Sequence, residues 1–330
     1  MENVTFYDHK PAALSLYDAV VQGLSQPVKS IPPKFFYDER GSELFDQICQ
    51  QPEYYLPKVE RRMLAHFAEE IAELAGRGCV VIEPGAGSAD KIRLLLDVLR
   101  PTAFVPMDIS FDYLKSSAMA LAQEYPWLPI RAACVDFTHS LPVPDDVPEG
   151  RRLLFFPGSS LGNFNHSEAG GFLRMVHHIL GSDGMLLVGV DTKKSKGLLN
   201  AAYNDAAGLT AAFNRNLLHR MRDELNVDLD PDSFEHKAFY NSEKGRIEMH
   251  LISTRQHTLR LNGHHFEFEK GEQLHTENSY KYAPDEFIGL AAENGFEAVR
   301  HWVDEDGLFA IYLLTTGRAS TTPVGWVSAT

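Results

Sequence analysis

The chain has 330 residues, enough to bury a full core and about twice a typical domain, so two structural units are expected. Its 45 acidic against 31 basic residues give a formal charge of -14, which disfavours nucleic acid and anionic membrane surfaces as partners. Cys49, Cys79 and Cys134 are scattered and odd in number, which fits neither a disulfide framework nor a zinc knuckle, and no run approaches the ~20 apolar residues of a membrane span. With no basic-then-apolar leader from Met1 to Ala12, the expected compartment is the cytoplasm, and no obligate protein partner is evident.

The segment before Cys79 has its own character. A helix over Ala13 to Leu24 precedes the Pro32-Pro33 break, an aromatic-rich stretch and a long amphipathic helix from Pro57 to Ala75. From Cys79 onward short apolar runs alternate with longer amphipathic ones, the pattern of an α/β fold with a doubly wound parallel sheet. Strands are expected at Cys79 to Glu83, Ala103 to Met107, Ile130 to Val135, Leu153 to Phe156 and Met185 to Val190. Helices are expected at Asp90 to Leu99, Phe111 to Glu124 and Glu168 to Leu180. After Asp191 the alternation stops. Residues 196 to 224 read as helix, then Arg246 to Arg255, Thr258 to Leu261 and His265 to Glu269 as strands, the last two joined by Asn262-Gly263, a pair that tolerates positive φ. A helix at Pro284 to Asn294 and strands at Phe296 to Val303 and Leu308 to Leu314 resemble the closing elements of class I methyltransferases. The expected organisation is an α/β domain of residues 58-192 and 283-317, an α+β substrate-binding domain of 1-57 and 193-282, and a loose tail of 318-330.

Val80-Val81-Ile82-Glu83-Pro84-Gly85-Ala86-Gly87-Ser88 is an apolar strand running into a glycine turn, with Ser88 or Asp90 placed to cap the next helix. Two glycines alone are weak evidence, since many strand-to-helix turns carry them for steric reasons. Asp108 sharpens the reading, because a carboxylate ending the next strand can accept from both ribose hydroxyls. Asp136 follows the strand after that, placed to receive an adenine amino group with Phe137 against the ring. Together with Glu83, Gly85, Gly87 and Lys91 they outline an adenosine site. Asp90 stands where a G-x-G-x-x-G fingerprint needs glycine, and its charge competes with a pyrophosphate for the helix amides, which argues against an NAD-dependent dehydrogenase. S-adenosylmethionine has no phosphate and carries a sulfonium, so acidic surroundings suit it.

Aromatic rings, Phe35, Phe36, Tyr37, Phe45, Tyr54 and Tyr55, crowd the stretch from Pro33 to Ile48 and the following Pro52-Glu53-Tyr54-Tyr55, as in a lid or pocket wall. These segments resemble the histidine Nα-methyltransferase family, which makes hercynine for ergothioneine biosynthesis. The likeness continues through Glu83-Pro84-Gly85-Ala86-Gly87, Pro157-Gly158-Ser159-Ser160-Leu161-Gly162-Asn163, the run from Tyr203 to Asn216, Arg246-Ile247-Glu248-Met249 and His275-Thr276-Glu277-Asn278-Ser279-Tyr280-Lys281-Tyr282. It implies a class I, Rossmann-like methyltransferase domain with a second substrate-binding domain, and S-adenosyl-L-methionine as cofactor. It implies that Tyr37, Asn163 and Tyr203 hold the amino acid head, and that Gly158 and Ser160 line the methyl-transfer position. It further implies that Glu277 and Ser279 bond one imidazole nitrogen, that Tyr54 serves the other, and that Phe45 and Met249 pack on the ring. Tyr37 and Asn163 are the residues expected nearest the chemistry, Tyr37 through a water relay.

The spacing of the residues is in keeping with the specificity that the resemblance implies. Glu277 and Ser279 are two apart, so an extended strand puts both on one face. A buried carboxylate is costly, and an imidazole N–H would satisfy it where an indole leaves part of the network unpaired. The competing explanations of Glu277 are an ion pair with Lys281 or an exposed strand position. Trimethylation of the free L-histidine α-amine is the expected activity; an N-methyltransferase for tryptophan or another amino acid, and a non-catalytic adenosyl-ligand sensor, are the alternatives. His177-His178 and His264-His265 lack the i, i+4 helix spacing of a metal site, so no metal is expected.

Overall fold

The structure, a computed structural model, describes residues 3–9 and 15–317. Its first half runs β1 (Val4–Asp8), α1 (Leu16–Leu24), α2 (Glu39–Ile48), α3 (Leu56–Ala75), β2 (Val80–Pro84), α4 (Arg93–Leu99), β3 (Ala103–Asp108), α5 (Phe111–Glu124), β4 (Ile130–Cys134) and β5 (Arg152–Phe156). There follow α6 (His166–Leu180), β6 (Met185–Asp191), α7 (Lys196–Ala202), α8 (Leu209–Leu225), β7 (Phe234–Asn241) and β8 (Arg246–Ser253). The remainder is β9 (His257–Leu261), β10 (His264–Phe268), β11 (Gln273–Tyr280), α9 (Pro284–Glu293), β12 (Glu297–Val303) and β13 (Phe309–Thr315). Two compact units result. One takes Leu56–Lys193 with the described residues of Met1–Pro11 and Lys281–Thr330, the other Lys194–Tyr280 with the described residues of Ala12–Tyr55.

The first unit is an eight-stranded sheet in the order β1-β4-β3-β2-β5-β6-β13-β12. All its pairings are parallel except those of β13 with β6 and β12. β2, β6 and β13 are buried at every position, the signature of strands covered on both faces. Strand order reverses between β2 and β5, so the loops after β2, β3, β4 and β5 leave the same carboxyl edge, where open α/β sheets bind ligands. α3 packs on α4 and β13, and α6 on β5 and α9.

Two expectations are corrected here. The chain's start, assigned to the substrate-binding domain, instead adds β1 to this sheet: Val4–Asp8 pairs with Ile130–Cys134, covering an otherwise open edge. Neither Ser88 nor Asp90 caps α4, which begins at Arg93; Ser88 Oγ donates to Asp90 at 2.9 Å and Arg93 takes up the other Asp90 oxygen. The tail of 318–330 lies outside the described residues.

The second unit is α+β. β11-β8-β7 form an antiparallel sheet and β9-β10 a hairpin whose turn residues Asn262 and Gly263 have φ of 46° and 84°. The single helix expected over 196 to 224 is two. Asp205 accepts the Leu209 and Thr210 amides at 2.8 Å each, and Gly208 at φ 73° turns the chain, so α8 starts afresh and Tyr203 stands in the break. Gly41 is required in α2, because a Cβ there would overlap the Phe36 carbonyl oxygen. Asp38 caps that helix through the Gly41 amide and receives Asn216 of α8, each at 2.7 Å, which pins α2 against α8.

Candidate active site

The residues expected to hold adenosine converge at the carboxyl edge of the first unit's sheet. Gly85 and Gly87 have φ of 68° and 53°, a left-handed turn that side chains disfavour. A Cβ on Gly85 would come within 3.3 Å of the Phe137 ring, so Phe137 lies directly over the glycine turn. Asp108 Oδ2 accepts the Gly87 amide at 3.2 Å and Oδ1 the Ser110 amide at 3.0 Å. Burial raises the Asp108 pKa, and these amides with that of Ile109 pull it back down. Asp136 is buried and its Oδ1 accepts Thr138 Oγ at 2.5 Å, holding the loop that presents Phe137.

Glu83 is the test of whether this loop suits the expected cofactor. It is 2 % exposed and its Oε2 has no hydrogen-bond partner among the described residues. Burial pushes its carboxyl well above the usual range, with Glu60 and Asp108 adding to the rise and Lys91 and Arg93 opposing it. An orphaned buried carboxyl oxygen at the head of a glycine turn is satisfied by an ammonium or hydroxyl donor, which would also favour its ionised form. S-adenosylmethionine, phosphate-free and with an amino acid tail, meets that demand.

Gly158, Ser160 and Asn163 stand on the loop after β5, in the same unit. Gly158 at φ 82° and Ser159 at φ 58° are consecutive left-handed residues, and Ser160–Asn163 is one turn of 3-10 helix. Lys91 Nζ pairs with Glu60 at 2.5 Å, and a Cβ on Gly158 would come within 3.2 Å of that ammonium. Asp191 and Lys281, both fully buried, pair at 2.7 Å, and the Asp191 amide donates to Ser159 Oγ at 2.9 Å. Sequence reasoning did not single out Glu60. The signal was present: it occupies the apolar face of α3 among Leu56, Val59, Met63 and Leu64, a place where a carboxylate needs a specific partner.

The second unit gathers the other candidates. Tyr37 meets Phe45 edge-on with centroids 5.6 Å apart, Phe45 meets Tyr54 at 6.2 Å, and Tyr54 meets Tyr203 at 5.9 Å. Phe213 of α8, not anticipated as a pocket residue, packs on Tyr37 at 5.5 Å and on Phe45 at 5.9 Å. Tyr203 Oη donates to Ser279 Oγ at 2.9 Å. Burial holds the Tyr54 hydroxyl well above its usual pKa, and Tyr203, Cys49, Tyr37 and Glu277 around it add to the rise. Tyr54 is therefore a neutral hydrogen-bonding group. Glu277 is 9 % exposed and lies cross-strand from Met249. A bulge between His275 and Glu277 inserts Thr276, whose Oγ donates to Asn214 Oδ1 at 2.7 Å.

Behind these residues runs a network absent from the sequence-based candidates. His236 Nε2 donates to the Tyr203 carbonyl at 3.0 Å, and its Nδ1 accepts from Asn214 Nδ2 at 2.9 Å. That arrangement needs a neutral imidazole. Burial lowers the His236 pKa and Arg215 adds to this, while the Tyr203 carbonyl and Asp205 oppose. A folded pKa below the unfolded one contributes stability that is complete above about pH 6.5 and lost as pH falls through the folded value. His236→Gln, which keeps the donor but does not titrate, is thus expected to flatten part of the acid limb; thermal melts of both proteins from pH 7.5 to 5 with parallel limbs would refute it.

Among the described residues no cluster of His, Cys, Asp and Glu has the makings of a metal site. Cys79 and Cys134 are buried and Cys49 half-buried, all three unbridged. No helix among those residues is long and apolar enough to cross a membrane.

Residues 16–316 match the family described as histidine-specific methyltransferase, SAM-dependent. The chain belongs to that family. It is 40 % identical over 309 residues to Histidine N-alpha-methyltransferase of Mycolicibacterium smegmatis, an alignment spanning 92 % of this chain and 95 % of that one. It is 38 % identical to Histidine N-alpha-methyltransferase of Mycobacterium tuberculosis, over 91 % and 94 % of the two chains. Ergothioneine biosynthesis protein 1 of Neurospora crassa is 27 % identical over 88 % of this chain, which spans 34 % of that longer protein. Membership brings S-adenosylmethionine as methyl donor, in keeping with the orphaned Glu83 oxygen, and a small-molecule substrate.

Proposed function

We propose that the chain trimethylates the α-amino group of free L-histidine to hercynine, a step of ergothioneine biosynthesis, acting in the cytoplasm without nucleic acid or membrane partners. The observation that carries this reading is the buried acid–hydroxyl pair Glu277 and Ser279 on β11, with Ser279 bonded to Tyr203 and Tyr54 near Tyr203 and Glu277. An aromatic wall with a carboxylate and a hydroxyl is matched by an imidazole, which has two ring nitrogens, better than by an indole, which has one. The relatives named as histidine methyltransferases support the same substrate.

S-adenosylmethionine, when bound, supplies a methyl carbon on cationic sulfur, open to in-line displacement by an amine that the same charge helps keep unprotonated. Glu83, Gly85, Gly87, Lys91, Asp108, Asp136 and Phe137 are the residues assigned to hold it. Tyr37, Asn163 and Tyr203 are assigned to the substrate's carboxylate and amine: the Asn163 amide oxygen can accept from the amine while its NH2 donates to the carboxylate. Gly158 and Ser160 are assigned to line the methyl-transfer position. Phe45, Tyr54, Met249, Glu277 and Ser279 read the ring. Tyr37 can relay a proton through water, and positioning supplies the greater part of the acceleration.

The test is mass spectrometry of products after incubating the protein with S-adenosylmethionine and the twenty amino acids. A gain of three methyl groups on histidine alone is expected. Methylated tryptophan in its place, or no product, would overturn the assignment.

A further inference from the structure

Glu60 has a role that its place in the helix face does not explain. It lies on α3 with apolar neighbours before and after it, is 1 % exposed, and takes the Gly158 amide at 2.9 Å on each carboxylate oxygen and the Lys91 ammonium at 2.5 Å. β6 is carved to admit it, because a Cβ at Gly189 would overlap Glu60 Oε1. Four separate stretches of chain, α3, the turn after β2, the loop after β5 and β6, therefore accommodate one side chain. An apolar residue of similar volume would pack there without the desolvation of a carboxylate, so packing alone does not account for glutamate.

The strained backbone beside it does. Gly158 and Ser159 are successive left-handed residues, the second not a glycine, and such a pair persists only where the surroundings hold it. Two anchors do so: Glu60 on the Gly158 amide, and the Asp191 amide on Ser159 Oγ. The same carboxylate fixes the Lys91 ammonium beside Gly158, within 3.2 Å of where a Cβ would stand. We propose that Glu60 is a positioning residue for methyl transfer, locking the left-handed Gly158-Ser159 turn and the Lys91 ammonium so that the loop through Ser160 and Asn163 keeps one geometry. The proposal rests on the function assigned above, but the clamp can be measured without it.

Hydrogen exchange of the ligand-free protein reads the anchor directly. Glu60→Ala is expected to speed exchange at the Gly158 amide by about tenfold or more, with Glu60→Gln, which retains one acceptor, in between. Calorimetry with S-adenosylhomocysteine and steady-state kinetics with histidine then read the consequence: kcat lower by about 10- to 100-fold, KM for histidine changed less than about threefold. Gly189→Ala, whose Cβ would displace the carboxylate without removing it and would also press on Phe309 Cε1 at 2.9 Å, is expected to reproduce the kcat loss. Unchanged Gly158 exchange in Glu60→Ala, or wild-type kcat in Glu60→Gln and Gly189→Ala, overturns the clamp. So does a kcat deficit that disappears when each variant is assayed equally far below its own melting temperature. An unsubstituted protein that leaves histidine unmethylated would sink the functional assignment, while the exchange result still decides the role of Glu60.

Discussion

Replacing Glu277 with alanine is expected to raise the KM for histidine by about 10- to 100-fold while leaving the affinity for S-adenosylhomocysteine within about twofold. The size follows from the chemistry: a hydrogen bond to a charged acceptor in a shielded place contributes about 1.5 to 3 kcal/mol, and Glu277 is 9 % exposed. Glu277 lies in the second unit on β11, whereas the glycine turn and Asp108 belong to the first, so the two affinities should separate. Glu277→Gln keeps the shape and one acceptor and should lose less. Calorimetric titration of each variant with both ligands checks this; a parallel loss of both affinities would show that Glu277 supports folding and does not read the ring. Growth in tryptophan turnover by Glu277→Ala would add that the acid also excludes indoles.

The Asp191–Lys281 pair should carry the largest stability effect. Both side chains are wholly buried and 2.7 Å apart. Asp191→Asn leaves the Lys281 ammonium without its counter-charge in the interior, at a cost of about 3 to 5 kcal/mol, and is expected to lower the melting temperature by on the order of 10 °C. Asp191→Leu with Lys281→Met removes both charges and should recover most of the loss, since two apolar groups avoid the desolvation that the ion pair must offset. Calorimetric melting of the single and double variants decides it. A double variant as unstable as the sum of the two singles would mean that the pair is not what holds this position.

How far the sequence could be read depended on how locally each feature is encoded. β2, β3, β5 and β6 fall within a residue or two of expectation because strands buried on both faces are unbroken apolar runs. Phe234–Asn241 is not legible as a strand because, although burial alternates along it, residue type does not: His236 takes an inward position and Phe239 an outward one. Val4–Asp8 is short and becomes a strand only because β4 offers an edge far along the chain. The break between α7 and α8 depends on a side chain, Asp205, turning back on two amides, which leaves no mark on the apolar period. Among the candidate site residues, the tyrosines and the Glu277–Ser279 pair are picked out by the family resemblance, and aromatic density and strand spacing are in keeping with it. Glu60, Asn214 and His236 are not, because each acquires its meaning from partners in other elements: Gly158 and Lys91 for the first, Tyr203 and Thr276 for the others.

The placement of β13 sets a constraint on biosynthesis. That strand, the last of the described chain, sits between β6 and β12, and every residue of β6 that it shields is buried. While the ribosome is still making the intervening residues, Met-Leu-Leu-Val-Gly-Val-Asp of β6 can pair with β5 on one edge, but the edge that β13 will cover is open and apolar, a template for stray association. Fragments ending before Phe309 should therefore collect in the insoluble fraction, and the nascent protein should lean on chaperones until β13 arrives.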